Sequence, residues 1–218
     1  MRNSAPVPPN LQPAPYTMIN EGQSLLKEGD LVVRLNLDPA SRFIKNFNRH
    51  DKNYSHAGII LYENGYPYVY HIVNGIENPD EKLRKDSLSR FCNPKYNIAY
   101  GIFRFKLKTS EIRNLKDLVH TWYEKGVRFD FEFNLKTDDR MYCSEMISKA
   151  LARATAERIL IKTTKPTLIE ARIFSKYMNI PFTYASKLQI VSIDNLYTNP
   201  NCHLVKKYIY KNIDKRVK

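Results

Sequence analysis

Apolar and polar positions change period repeatedly along this chain, and each change marks an element. After the turn Glu28-Gly29-Asp30, the segment Leu31-Val32-Val33-Arg34-Leu35 reads as a first strand. Ala57 to Tyr62 is an uninterrupted apolar run, the mark of a central strand covered on both faces. Glu63-Asn64-Gly65 turns the chain back through a returning strand, Tyr66 to Val73. Ile98 to Phe105 alternates as a further strand, Gln189 to Ile193 as a short one, and Val205 to Ile209 as the last. Helical spacing begins at Thr109-Ser110-Glu111 and runs to about Lys125, with Ile112, Leu115, Leu118, Val119 and Trp122 on one face. A second amphipathic helix starts at Cys143 and continues to about Ala156, and a third covers Thr167 to Tyr177. Residues 38–50 form a short capped helix, Lys82 to Phe91 is a helix candidate within a polar stretch, and Ile193 to Leu196 starts one more helical turn. Arg128 to Leu135 is extended, with Asp130 anchoring a turn through backbone hydrogen bonds. An antiparallel sheet with helices before and after it makes the fold α+β.

A Pro-rich mobile segment is expected over residues 1–22, one domain over 23–205 and a basic tail over 206–218. The 43% hydrophobic content supports a real core. A formal charge of +13 suits anionic lipid headgroups, cell-wall polymers or nucleic acid, and equally a solvated basic surface. No nucleic-acid motif is present, so no specific nucleic-acid partner is expected. No apolar run approaches the roughly 20 residues that span a bilayer. Two readings of the N-terminus stay open: a mature start after removal of a signal, which favours the periplasm, cell envelope or export, and a cytoplasmic start.

Cys92, Cys143 and Cys202 are too far apart for a metal cluster, and His50, His120 and His203 add no ligand spacing, so no metal and no cofactor are expected. A Cys92–Cys202 bridge stays open. Cys143 stands apart because it heads a helix, where unpaired N–H groups and the helix dipole favour the thiolate. His56 lies far upstream at the start of the apolar strand, and two such residues can meet in a fold as nucleophile and base. Alone, the cysteine reads as a small buried hydrophobe and the histidine as a structural one.

Four blocks taken together change that balance: Glu28-Gly29-Asp30-Leu31-Val32-Val33-Arg34, Ser55-His56-Ala57-Gly58-Ile59-Ile60-Leu61, Phe129-Asp130-Phe131 and Tyr142-Cys143-Ser144-Glu145-Met146-Ile147. In this order they resemble the permuted NlpC-type cysteine hydrolases of the YiiX/YebB-like branch. These are circularly permuted papain-like enzymes related to the lecithin retinol acyltransferase group. The late Val191-Ser192-Ile193-Asp194-Asn195-Leu196-Tyr197 resembles the stretch that closes such domains. The resemblance implies a permuted papain-like fold, with Cys143 as nucleophile, His56 as general base and a polar third residue on the next strand. His71 is the candidate for that place, with Glu77 as the alternative and a structural role beside tyrosines as its rival. The Cys143 backbone N–H is one oxyanion donor and Tyr54 a candidate second. Tyr142 and Glu145 are candidate substrate contacts, although Glu145 reads first as a helix-capping carboxylate.

The implied activity is hydrolysis of a peptide-like, cell-wall type amide through a Cys thioester. Lipid acyl-ester hydrolysis or acyl transfer on anionic membranes follows closely. Outside the enzymes, a basic Tyr-rich binding module would be indifferent to Cys143→Ala, and a degenerate scaffold would not need the intact Cys143 and His56.

Overall fold

The computed structural model describes residues 15–76 and 78–210. Its centre is a six-stranded antiparallel sheet: β1 Leu31–Asn36, β2 His56–Glu63, β3 Tyr66–His71, β4 Arg84–Asp86, β5 Asn97–Phe105 and β6 Cys202–Ile209, in the order β4-β3-β2-β1-β5-β6. β1 and β2 lie in the middle, which explains the apolar run of Ala57 to Tyr62 and the burial of β1 along its whole length: both faces are covered.

One face carries Leu31, Val33, Ala57, Ile59 and Leu61. These pack on the apolar stripes of α4 (Thr109–Glu124) and α5 (Cys143–Ala154), through Leu115, Val119, Met146, Ile147 and Ala150. On the other face Val32, Ile60, Val69, Tyr100 and Ile102 meet α1 (Pro15–Leu25) and α3 (Leu88–Phe91). α2 (Pro39–Ile44) continues as a 3₁₀ turn over Lys45–Phe47, while α6 (Leu168–Met178), α7 (Phe182–Ala185) and α8 (Ile193–Tyr197) complete the fold. No helix among the described residues is long and apolar enough to cross a membrane.

Four expectations change. Residues 15–25 form α1, with Pro15 at its first position, where a missing N–H costs nothing. Ile19 is buried, and Gly22 lies so close to the sheet that a Cβ there would sit 2.3 Å from the Tyr100 hydroxyl. At the other end, residues 206–209 belong to β6, which starts at Cys202 and pairs with β5. Lys82 to Phe91 is not one helix: its middle is β4 and only its last turn is α3, capped by the Ser87 side chain. Gln189 to Ile193 makes a single bridge, Thr164 to Ile190, instead of a strand. The turn at Asp130 is as expected, its carboxylate accepting the N–H groups of Glu132 and Asn134 at 2.8 and 2.6 Å.

Candidate active site

Cys143 opens α5, so its own N–H and that of Ser144 are among the donors that the helix leaves unpaired. The segment around Val191 pins this end. Ser144 Oγ donates to the Val191 carbonyl at 2.6 Å, and the Val191 N–H donates to the Tyr142 hydroxyl at 2.8 Å. Glu145 accepts the Tyr142 N–H at 3.2 Å and pairs with Lys149 Nζ at 2.7 Å. Burial raises the Glu145 carboxyl to about 7, and its side chain does not line the cavity described below. Its role here is to cap the helix. Tyr142 does line the cavity, with its hydroxyl committed to Val191.

Cys143 is buried, at 9% exposure of the whole residue. Loss of solvent pushes its pKa up, and the N–H groups of Ala57 and Ser144, the Ser144 side chain and the charge of Arg34 offset only part of this. The resting group is therefore a thiol. The expected preference for thiolate does not hold in the free protein, because burial outweighs the helix terminus.

Cys143 and His56 line one cavity of about 320 Å³. The Ala57 N–H that supports the sulfur belongs to the residue after His56, which brings the start of β2 against the start of α5. Among the described residues, no direct hydrogen bond joins the thiol to the imidazole. Such contacts commonly tighten only when substrate binds.

The second imidazole bond is in place. His56 Nε2 lies 3.0 Å from His71 Nδ1, and His71 Nε2 lies 3.1 Å from Asp86 Oδ2. Strand register sets up both. His71 is the cross-strand partner of the position next to Ile59, namely Gly58, whose bare Cα leaves room: a Cβ there would sit 2.4 Å from Val69 Cγ1 and 3.3 Å from His71 Cβ. Asp86 pairs with Val69, and so lies diagonal to His71, within side-chain reach. Arg84 Nη2 at 2.9 Å and Arg90 Nε at 3.3 Å hold the other Asp86 oxygen. Despite burial, the hydrogen bond and charge from His71 and Arg84 lower the Asp86 carboxyl to about 2. His71 falls to about 4, chiefly by burial, and His56 falls well below its usual value for the same reason, with Arg34 and His71 adding to it. Both rings are neutral near pH 7.

Phe91 packs against both rings, at 5.5 Å from His56 and 4.9 Å from His71. Arg34, the β1 partner of His56, lies over the same Phe91 at 4.5 Å and donates from Nη1 to the Phe91 carbonyl at 2.7 Å. Arg34 and Asp86 escaped the sequence reading. A lone arginine in an apolar strand was the available signal for Arg34. Asp86 gave none, since three residues are too few to show a strand period.

Tyr54 is not at the site. Its ring inserts between Phe103 and Tyr197, at 6.2 and 5.6 Å, and it does not line the cavity. The chain turns toward β5 just before β2 begins, which directs this side chain into the core and corrects its expected donor role. Glu77 lies outside the described residues. Cys92 and Cys202 are free thiols, not a bridge.

No curated protein matches the sequence. Among solved structures, the crystal structure of yiiX from Escherichia coli O157:H7, described as a metalloprotein, shares the fold with a TM-score of 0.65. The match has 23% identity and covers 84% of this chain and 98% of that one. A metal does not fit here: no group of three His, Cys, Asp or Glu side chains among the described residues could hold one, and the two imidazoles turn nitrogens toward each other. The model of the permuted papain-like amidase enzymes, YaeF/YiiX, C92 family, matches residues 25–206, and the chain belongs to that family of cysteine hydrolases acting on amide bonds.

Proposed function

We propose that the protein hydrolyses an amide with an apolar acyl part, using Cys143 as nucleophile and His56 as base. One observation carries the substrate side of this reading. The cavity that holds Cys143 and His56 is walled mainly by apolar side chains, Ile44, Phe47, Ile72, Phe133, Phe174 and Ile190 among them, with Arg34, Asn36, Asp38 and Asn48 as polar lining. Its volume of about 320 Å³ is at the low end of ligand pockets, which span roughly 300–1,000 Å³. Such a wall favours an aliphatic chain or apolar side chain on the acyl side over the charged stretches of a cell-wall peptide.

The resting pair is neutral on both sides, so the proton moves as the bond forms. Sγ attacks the acyl carbon, its proton passes to His56 Nδ1, and the first-turn N–H groups of α5 face the developing oxyanion. The C–N bond then breaks, the amine leaves with the proton from His56, and the acyl group remains as a thioester. Water, deprotonated by His56, releases the acid. His71 and Asp86 support the imidazolium through the Nε2–H that His56 points at them.

A series of N-acyl amides of increasing chain length, assayed beside cell-wall peptides, tests the reading. Turnover that rises with acyl length and vanishes in Cys143→Ala is expected. Faster turnover of the peptides would overturn the apolar assignment. The same wall also suits an acyl ester, and matched ester and amide substrates in the same assay separate the two.

A further inference from the structure

α6 presents an unusual outer face. Its inner side is set by Ala171 and Phe174, which are buried. Away from them, Ile169, Ile173 and Tyr177 recur every fourth residue and are 74%, 49% and 53% exposed, with Leu168 at 71%. Ile169, Ile173 and Tyr177 form one apolar stripe on solvent. Exposed Arg172 and Lys176 are interleaved with it. The single acid on this helix, Glu170, is held by Arg49 at 2.6 Å and so contributes little negative charge to the stripe.

This stripe is continuous with the active-site cavity. Tyr177 lines that cavity, its ring 4.7 Å from Phe43. Ile76 lines it too, from the loop after β3, and is fully exposed. The opening is thus bordered by apolar side chains from two separate elements. Phe182 of α7 extends the patch and lies under Arg172 at 5.8 Å.

The geometry points to an anionic lipid surface as the occupant of this face, with α6 lying along it and the cavity opening toward it. An apolar stripe flanked by cations is how a helix sits in the plane of a membrane interface. Anionic headgroups match Arg172 and Lys176, and the net charge of +13 adds attraction at longer range. The assignment goes beyond the proposed reaction and does not depend on it.

The test is flotation of the full-length protein with vesicles of phosphatidylcholine, with and without phosphatidylglycerol. Binding is expected only with phosphatidylglycerol, and it should fall as salt rises. Ile169→Glu/Ile173→Glu should abolish it. Arg172→Gln/Lys176→Gln should weaken it roughly 30-fold, at about 1 kcal/mol for each cation near an anionic surface. Circular dichroism and the alkylation rate of Cys143 should be unchanged in both variants, which separates lost docking from lost fold. Cys143→Ala should bind like the wild type, so docking and hydrolysis can fail independently. Binding that survives both double variants would overturn the assignment, because the bulk charge would then suffice. So would absence of vesicle binding with a dimer that Ile169→Glu/Ile173→Glu dissociates, since a second copy would then occupy the stripe.

Discussion

His56 and His71 meet nitrogen to nitrogen, Nε2 to Nδ1 at 3.0 Å, and only one of these atoms can carry the shared proton while both rings are neutral. Asp86 decides which. Its carboxylate, held ionised beside His71 and Arg84, accepts from His71 Nε2 and so leaves His71 Nδ1 bare. His56 must then donate from Nε2, and its Nδ1 keeps a lone pair, free to take the proton from a thiol. A carboxylate two groups away thus fixes the tautomer of His56, the proposed base.

Asp86→Asn tests this order. The amide can donate to His71 Nε2 and invert the chain, leaving His56 protonated at Nδ1. The expected result is a fall in kcat of roughly 100-fold or more, with KM little changed, by analogy with triads whose orienting carboxylate becomes an amide. A circular dichroism spectrum and melting curve close to wild type would show that the loss is not unfolding. Activity within a few-fold of wild type would mean that Asp86 does not orient the rings.

The protonation states give a second prediction. Burial raises the Cys143 pKa and lowers that of His56, so the free enzyme does not hold a thiolate–imidazolium pair. Alkylation of Cys143 by iodoacetamide should climb steadily through neutral into alkaline pH. The acid limb of kcat/KM should lie below the usual histidine value of 6.5, because the depressed base stays neutral there. A flat alkylation rate from mildly acid to neutral pH would reveal a preformed ion pair and contradict this.

Stability should depend on pH through the same residues. His71 binds its proton at about 4 in the folded chain and near 6.5 when unfolded. Between those values the unfolded state holds more protons, so folding loses stability as pH falls from 6.5 toward 4. The loss from His71 is ~3 kcal/mol, with His56 adding in the same direction. Asp86 acts lower, its stabilisation present above 3.8 and lost as pH falls toward about 2. Thermal melts between pH 7 and 4 should show a falling Tm, and a constant Tm over that range would show that the rings can charge in place.

Much of this site was legible because its parts follow local rules. Cys143 sits at a helix start that amphipathic spacing announces, and the apolar run after His56 marks a central strand. His71 came from the family resemblance, which implies a polar third residue on the strand after His56, and not from any local rule. Asp86 was hidden because β4 exists only as a partner of β3, a tertiary fact with no local period behind it. Tyr54 failed for the opposite reason. Sequence nearness to His56 suggested a shared site, but the chain turns between them and Tyr54 enters the aromatic core beside Phe103. The thiolate expectation counted the helix terminus and could not count the loss of solvent.

The N-terminal helix supplies the last prediction, since its proline-rich approach hid that residues 15–25 are part of the fold. Gly22 to Ala would normally help a helix by up to about 1 kcal/mol. Here the new Cβ would lie 2.3 Å from the Tyr100 hydroxyl, which donates to the Met18 carbonyl at 2.7 Å and cannot retreat without losing that bond. Overpacking of this kind costs roughly 1–3 kcal/mol, so Gly22→Ala should lower stability despite its better propensity. Tyr100→Phe removes the clashing oxygen, and in that background the alanine should cost less, an interaction that a double-mutant cycle by urea denaturation measures. If Gly22→Ala instead stabilises the protein, α1 does not rest on the sheet at Tyr100.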